Sequence, residues 1–199
     1  MDGPAPSQPD YEAFIDAFNA FVALARRLEK AFAAATSELD ELTGVHNRQA
    51  MVRELDREFE RFRRTGQPFC IVLADLDHFK AINDAHGHAA GDIVLRAAAA
   101  RLLASLRPYD GVYRYGGEEF LLHLSDIAAA EAAAIIERLR ESLVGEPIGL
   151  DDTTELNVTA SFGLAETSGD TSIEATIKRA DGALYRAKES GRNRLVIAE

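Results

Sequence analysis

Cysteine is almost missing from this chain of 199 residues, which contains one cysteine, Cys70, and no tryptophan. A single cysteine excludes a disulfide within the chain and is typical of a protein from a reducing compartment. Because Cys70 lies inside the apolar run 69–73 (Phe-Cys-Ile-Val-Leu), we expect it to be a small core residue.

Long apolar segments and an excess of positive charge are also missing. No segment approaches the ~20 apolar residues of a membrane span, and the N-terminus lacks the basic and then apolar pattern of a secretory signal. The net charge is −11, which argues against a broad basic surface for nucleic acid or an anionic membrane. We therefore expect a cytoplasmic protein with no membrane segment and no nucleic-acid partner.

The first 42 residues divide into a tail and a long helix. Residues 1–9 contain three prolines and no periodicity, which predicts a disordered tail. In residues 10–42, apolar side chains recur at alternating spacings of four and three, as at the a and d positions of a coiled coil. The stripe comprises Phe14, Phe18, Phe21, Ala25, Leu28, Phe32, Ala35, Leu39 and Leu42.

This stripe predicts a helical stalk that joins two copies of the chain into a homodimer. The alternative is a single amphipathic helix that packs on its own domain. Ile15, Val22 and Leu24 widen the apolar face beyond a strict seam, so a four-helix arrangement also stays open.

A globular domain is predicted from about residue 40 to the C-terminus, residue 199. Periodicity predicts helices over 48–64, 79–86, 92–106, 128–143 and 173–188. Apolar runs predict strands over 69–74 and 195–198, together with a hairpin over 112–122, and a further strand is predicted over 156–162. The resulting order, β-α-α-β-β-α-β-α-β, implies an α+β fold in which helices flank a central sheet.

Two acidic pairs occur next to apolar runs that are predicted to be strands. Glu118 and Glu119 follow two glycines at a predicted hairpin tip, and Asp75 and Asp77 close another apolar run. Adjacent like charges repel unless they share a cation, and carboxylates can hold Mg²⁺ against phosphate oxygens. The pattern predicts a metal-assisted phosphoryl-transfer site, with a solvated hairpin tip as the alternative for the two glutamates.

The residues around these pairs resemble the GGDEF family of diguanylate cyclases, in the variant spelled GGEEF. A lone G-G-E-E is a weak signal, whereas several motifs in the family's order are specific. The matching segments are D-E-L-T-G-V-H-N-R at 40–48, D-L-D-H-F-K-A-I-N-D at 75–84, H-G-H-A-A-G-D at 86–92, R-Y-G-G-E-E-F at 114–120, and the closing elements R-A-D at 179–181, A-K at 187–188 and G-R-N at 191–193.

The resemblance implies a fold and an activity. The fold is a nucleotidyl-cyclase palm of the ferredoxin-like type, with a mostly antiparallel sheet, preceded here by a long N-terminal helix. The activity is the condensation of two GTP molecules into cyclic di-GMP with release of two pyrophosphates. Each domain of a homodimer would hold one GTP, with two Mg²⁺ ions per site, a role that Mn²⁺ can also fill.

The resemblance also assigns the metal ligands and the catalytic residues. The implied metal ligands are Asp75, the Leu76 carbonyl, Glu118 and Glu119. The implied catalytic residues are Glu118, Lys80 and Glu119, of which Glu118 is the family's proposed general base. A metal can lower the pKa of the attacking hydroxyl without a base, so this role is held open.

A set of eight residues matches the family's GTP site. Lys80, Lys188 and Arg192 would contact phosphates, although Lys188 and Arg192 taken alone could simply complete an exposed helix C-terminus. Asp92, together with Asn83, would read guanine, because a carboxylate accepts hydrogen bonds from two guanine donors that adenine lacks. For Asp77 we expect a structural role, on the reasoning that its side chain leaves on the strand face opposite to Asp75. The GTP set is Phe79, Lys80, Asn83, Asp92, Gly116, Gly117, Lys188 and Arg192.

An R-x-x-D element at Arg107 and Asp110 matches the family's product-inhibition site, and Arg138 matches an additional product-binding arginine. Arginine recognises phosphate and guanine edges with two parallel hydrogen bonds. The alternative is an ordinary surface ion pair at a helix end. Two other functions are weighed against the enzyme: a non-catalytic receptor for cyclic di-GMP, and a GTP-binding module with slow hydrolysis.

Overall fold

The computed structural model describes residues 8–36, 38–169 and 172–199. The chain divides into two units, Met1–Ser37 and Glu38–Glu199. Most of the predicted tail, residues 1–7, lies outside the described residues. The helix of the first unit already begins at Gln8, two residues before the predicted start of the stalk.

The first unit contains one long helix, α1 (Gln8–Thr36). Its apolar stripe is exposed, with Phe14, Phe18, Phe21 and Leu28 between 54% and 68% accessible. The rings of Phe14 and Phe18 stack with centroids 6.5 Å apart, as expected for side chains four residues apart on one helix face.

The last two positions of the predicted stripe do not continue the helix. Leu39 forms an isolated β-bridge with His46, and Leu42 packs against the core of the second unit. The segment that begins at Glu38 is therefore part of the globular unit, because Leu39 and Leu42 find their partners there.

The second unit is built on a five-stranded sheet with the order β2-β3-β1-β6-β7. All neighbours are antiparallel except β6 and β7, which are parallel. The predicted α+β fold with a mostly antiparallel sheet is thereby confirmed. The strands are β1 (Cys70–Leu76), β2 (Gly111–Gly116), β3 (Glu119–Leu124), β4 (Ile148–Gly149), β5 (Glu155–Leu156), β6 (Ala160–Glu166) and β7 (Leu195–Ile197), where β4 and β5 form a separate hairpin.

Five helices surround this sheet in the second unit. They are α2 (Arg48–Thr65), α3 (Phe79–His86), α4 (His88–Ser105), α5 (Ala129–Gly145) and α6 (Ile173–Glu189). Asn47 starts α2 by accepting a hydrogen bond from the Ala50 amide at 3.0 Å, and Gly66 ends it in the left-handed conformation. Within residues 8–36, 38–169 and 172–199, no helix is both long and apolar enough to cross a membrane.

The central strand β1 is buried along its whole length, because helices cover both faces of the sheet. Successive side chains alternate between two cores: Val72 packs with the α4 and α5 side, and Leu73 with the α2 and α6 side. Cys70 is fully buried, and burial raises the pKa of its thiol to about 12. The thiol is therefore a core residue, as the sequence predicted.

The predicted strand 156–162 is wrong as a single element. β5 ends at Leu156 and pairs with β4, whereas β6 begins at Ala160, opposite Leu76 at the end of β1. Apolar and polar residues alternate without a break over 156–162, but the two ends of the segment pair with two different strands. The pairing partner of each strand, and not the alternation itself, sets where the strand begins.

Candidate active site

Two carboxylates face each other at the end of the sheet. Asp75, near the end of β1, is directly opposite Glu119, the first residue of β3, in the antiparallel register. The Lys188 ammonium, from the last turn of α6, lies 2.7 Å from a carboxylate oxygen of Asp75. Beside them is a cavity of about 290 Å³ lined by Glu119, Asp181, Gly182, Leu184, Tyr185 and Lys188.

The electrostatics of this pair favour an added cation. Burial raises the pKa of Asp75, and nearby carboxylates, including Glu118, add to the increase against the opposing effect of Lys188. Burial also raises the pKa of Glu119, and the Asp75 carboxylate adds to it. Two partly buried carboxylates that disfavour each other's charge are stabilised when a cation lies between them.

The hairpin turn brings a third acidic residue to the same end of the sheet. Gly117 adopts a left-handed conformation with φ of 48°, which suits glycine, and Glu118 follows it. The Glu118 carbonyl accepts a 3.4 Å hydrogen bond from the Leu76 amide, which ties the turn to the end of β1. Both predicted glycines, at 116 and 117, are exposed there.

The donor set fits a hard divalent cation. In the described part of the chain, no three carboxylate, imidazole or thiol side chains already converge as a finished metal cage. Asp75 and Glu119 form a close pair, and Glu118 and the Leu76 carbonyl belong to the adjoining turn and strand end. All four are oxygen donors, which is the chemistry that Mg²⁺ requires.

A pair that the sequence analysis overlooked, Arg114 and Asp40, supports the turn. The Arg114 guanidinium donates to the Gly117 carbonyl at 3.0 and 3.2 Å and to the Asp40 carboxylate at 3.0 and 3.3 Å. Asp40 also accepts hydrogen bonds from the Thr43 amide and hydroxyl. Both residues belong to the motifs that match the family, so the sequence marks each of them as important. Their separation in sequence does not show that they form an ion pair.

Asp77 holds other parts of the site together. It is buried and accepts hydrogen bonds from the Thr159 and Ser161 hydroxyls, both at 2.7 Å, and from the Asn193 amide at 3.0 Å. These contacts agree with the structural role predicted for Asp77, but the reason given for it, a side chain on the strand face opposite to Asp75, is wrong. Residues two apart on a strand point to the same face, so a continuous strand would place the Asp75 and Asp77 side chains together. Asp77 makes different contacts because β1 ends at Leu76.

The predicted phosphate-binding cations come from two separate helices. Lys80 is exposed in the first turn of α3, whose first residue, Phe79, is buried. Arg192 follows α6 in a left-handed conformation with φ of 61°, next to the Asn193 amide that Asp77 holds. Lys188 is paired with the acidic cluster, as described above.

The predicted guanine readers lie on the two helices that follow β1. Asn83 is on α3 and Asp92 is near the start of α4, and the two helices are joined at Gly87, whose φ is 83°. The Oδ1 atom of Asn83 is buried and has no hydrogen-bond partner among the described residues. A buried polar atom without a partner is uncommon and is often found where a ligand binds.

The predicted product site forms a compact turn away from the acidic cluster. The Asp110 carboxylate accepts hydrogen bonds from the Arg107 amide at 3.0 Å and from the Ser125 amide at 3.2 Å. The Arg107 guanidinium lies over the ring of Tyr109, 5.8 Å from its centroid. Asp110 therefore orders the turn while the Arg107 side chain faces an open surface.

A cavity of about 360 Å³ adjoins this turn and contains a second arginine. Arg61, which was not predicted, forms ion pairs with Glu58 and Asp126, and this pairing orients its guanidinium. Arg138, which was predicted, is exposed on α5 and does not appear in the lining of this cavity among the described residues. The lining comprises Arg61, Arg107, Tyr109, Ser125 and Asp126.

Comparison with known families identifies the class of protein that this fold and site define. Residues 37–194 match the family described as "Diguanylate cyclase, GGDEF domain". The chain belongs to the GGDEF family, and the predicted resemblance is confirmed.

Individual relatives cover the domain and, in two solved structures, most of the chain. The response regulator PleD of Caulobacter vibrioides is 46% identical over 159 residues, which are 79% of this chain and 35% of PleD. The chain thus spans about a third of the length of that relative. The coiled coil and GGDEF domain of DgcB from Caulobacter crescentus, solved in complex with c-di-GMP, is 33% identical with a TM-score of 0.79, covering 96% of this chain and all of that one. Diguanylate cyclase SiaD from Pseudomonas aeruginosa, solved with its activator SiaC, is 37% identical with a TM-score of 0.78, covering 96% of this chain and 72% of SiaD.

Proposed function

We propose that this protein is a diguanylate cyclase that condenses two GTP molecules into cyclic di-GMP and releases two pyrophosphates. The observation that carries the proposal is the pair of opposed carboxylates, Asp75 and Glu119, with the Lys188 ammonium 2.7 Å from Asp75. Membership of the GGDEF family and the likeness to diguanylate cyclase SiaD support it. The phosphates of GTP require both divalent cations and positively charged side chains, and this end of the sheet supplies residues for both.

The metal-binding residues would be Asp75, the Leu76 carbonyl, Glu118 and Glu119. When bound, two Mg²⁺ ions neutralise the charge that develops on the phosphate oxygens and lower the pKa of the attacking ribose hydroxyl. Mn²⁺ has the same ligand preferences and would substitute. Lys188, which lies 2.7 Å from Asp75, would contact a phosphate oxygen of GTP at the same site.

The remaining residues would bind and orient GTP. Lys80 and Arg192 would hold the triphosphate, with the exposed glycines of the hairpin turn allowing the phosphates to approach the backbone. Asn83 and Asp92 would hydrogen-bond the guanine edge. Glu118, on the turn, would accept the proton of the attacking hydroxyl if a general base is used.

The enzyme would act as a homodimer, because each domain holds only one of the two reacting GTP molecules. The exposed stripe on α1, from Phe14 to Leu28, supports association through the helix, since so many large apolar side chains are seldom left in water. The DgcB structure named for its coiled coil covers 96% of this chain. Joining two domains through a stalk raises their effective concentration and therefore the frequency of productive encounters.

Product inhibition would operate through Arg107 and Asp110, with Arg138 as the additional contact. The open guanidinium of Arg107 and the cavity it shares with Arg61 support the binding of a planar, doubly negative nucleotide. The two DgcB structures solved in complex with c-di-GMP show that a member of the family binds this molecule. The position of Arg138 outside this cavity means that its role would require a second part of the ligand or a second copy.

The test is to incubate the purified chain with GTP and Mg²⁺ and to separate the nucleotides by chromatography. We expect cyclic di-GMP and pyrophosphate. Glu118→Gln should abolish synthesis while the circular dichroism spectrum stays unchanged, because a half-exposed turn residue loses charge and no core packing. Binding of cyclic di-GMP without synthesis would identify a receptor, and formation of GDP alone would identify a slow GTPase; either result overturns the proposal.

A further inference from the structure

The helices α3 and α4 come into contact at Gly91, the residue before Asp92. A Cβ atom placed on Gly91 would lie 2.0 Å from Oδ1 and 3.0 Å from Cγ of Asn83, and 3.1 Å from Cζ of Phe79. All three distances are shorter than an ordinary van der Waals contact. The side chain of Asn83 therefore occupies the space that any side chain at position 91 would need.

No hydrogen bond holds Asn83 Oδ1 in this position. The atom is buried and without a partner among the described residues, so its location depends on the shape of the surface against which it lies. That surface is the bare Cα of Gly91. A polar atom that no hydrogen bond holds can move when the packing around it changes.

From these observations we infer that Gly91 is a specificity-determining positioning residue: its missing side chain holds the Asn83 amide where it faces guanine. This inference rests on the proposed function, in which Asn83 and Asp92 read the base. Gly91 itself would not touch GTP. It acts through Asn83, while Asp92, the next residue of the same helix, keeps its own position.

A comparison with Gly163 shows why a side chain at Gly91 would act mainly on Asn83. A Cβ at Gly163 would lie 2.2 Å from both the Ala180 carbonyl oxygen and the Leu184 amide nitrogen, which are backbone atoms of α6 and cannot rotate away. At Gly91 the nearest atom is the end of a flexible side chain. An alanine at 163 would thus separate a helix from the sheet, whereas an alanine at 91 would turn Asn83 aside and shift the Phe79 ring by a few tenths of an ångström.

The backbone at Gly91 accepts alanine without strain. Gly91 lies inside α4 and has no left-handed φ, so the substitution removes flexibility from the unfolded chain and improves helix propensity. The expected signature is unusual, because a variant that is at least as stable as the wild type should bind guanine less well. A purely structural role of the glycine predicts the opposite combination.

The test is a double-mutant cycle with Gly91→Ala, Asn83→Ala and the combined variant. The readouts are the GTP dissociation constant, kcat/KM for cyclic di-GMP synthesis and the melting temperature. Each single variant should weaken GTP binding by about tenfold, the effect of losing one hydrogen bond. The combined variant should bind GTP no more weakly than Asn83→Ala alone, because both changes remove the same contact.

Gly145→Ala is the matched control, since Gly145 lies at the end of α5 and a Cβ there meets no atom within 4 Å. It should bind GTP as the wild type does. The inference is overturned if Gly91→Ala binds GTP normally, if it weakens binding a further tenfold when Asn83 is already alanine, or if its melting temperature falls by several degrees. A wild-type chain that binds GTP but makes no cyclic di-GMP would refute the proposed function alone, because the binding cycle still tests Gly91.

Discussion

Replacing Arg114 by alanine should both destabilise the domain and slow the enzyme. Its guanidinium joins the Asp40 carboxylate to the Gly117 carbonyl in the turn that carries Glu118. Hydrogen bonds to charged groups contribute about 1.5–3 kcal/mol when buried, whereas exposed ion pairs contribute about 0–1 kcal/mol. Since the two side chains are 19% and 22% accessible, we expect a loss of about 2 kcal/mol.

The assay is thermal unfolding followed by circular dichroism, together with turnover of GTP. For a domain of this size, about 2 kcal/mol corresponds to a melting temperature lower by about 4–8 °C. We also expect turnover to fall at least about tenfold, because small displacements of catalytic groups are costly. The matched control is Arg53→Ala, which removes an ion pair with Glu38 whose side chains are 49% and 61% accessible. It should lower the melting temperature by less than about 3 °C.

The pH dependence gives an independent check of the same contact. Burial pushes the pKa of Asp40 upwards, but the hydrogen bonds from Thr43 and Arg114 outweigh it and hold the pKa below its ordinary value of 3.8. A lowered carboxylate pKa contributes stability above that value and loses it as the pH falls through the folded pKa. The difference between wild type and Arg114→Ala should therefore shrink at the acid end. Equal melting temperatures for Arg114→Ala and Arg53→Ala at pH 7 would refute the reasoning.

Three further predictions test other parts of the molecule. Leu28→Glu should reduce the sedimentation mass and the turnover at low protein concentration, whereas Asn19→Glu, off the apolar stripe, should change neither; an unchanged mass for Leu28→Glu contradicts the stalk. Arg107→Ala should keep the initial rate but relieve product inhibition, and inhibition that persists rejects the site. Glu58→Gln should cost about 3 kcal/mol at pH 7 in chemical denaturation. Hydrogen bonds from His123 and Arg61 overcome the opposing effect of burial and lower the pKa of Glu58 to about 2. The loss of unfolding free energy caused by Glu58→Gln should therefore decline below about pH 4 and vanish near pH 2. A loss that does not change with pH contradicts the lowered pKa of Glu58.

Local pattern was enough to predict most elements of the fold. The amphipathic helix after Asn47 was recognisable because its periodicity is repeated over many residues, and the buried strand at Cys70 because it is an unbroken apolar run. The strand at 156–162 was mispredicted because the sequence of one segment does not reveal which strands it pairs with. The prediction that the helix continues to Leu39 was wrong for the same reason, because Leu39 forms a backbone bridge to His46 and lies outside the helix.

The sequence by itself determined the family, the types of the elements and the acidic residues at the strand ends, because these depend on motifs and on local spacing. Only the tertiary structure decided that Asp75 lies opposite Glu119 and beside Lys188, that Arg114 reaches both Asp40 and the turn, and that the end of the Asn83 side chain lies against Gly91. Such contacts join residues that are distant in the chain or on separate helices. They follow from sheet register and helix packing, which the whole core sets together and no single segment encodes.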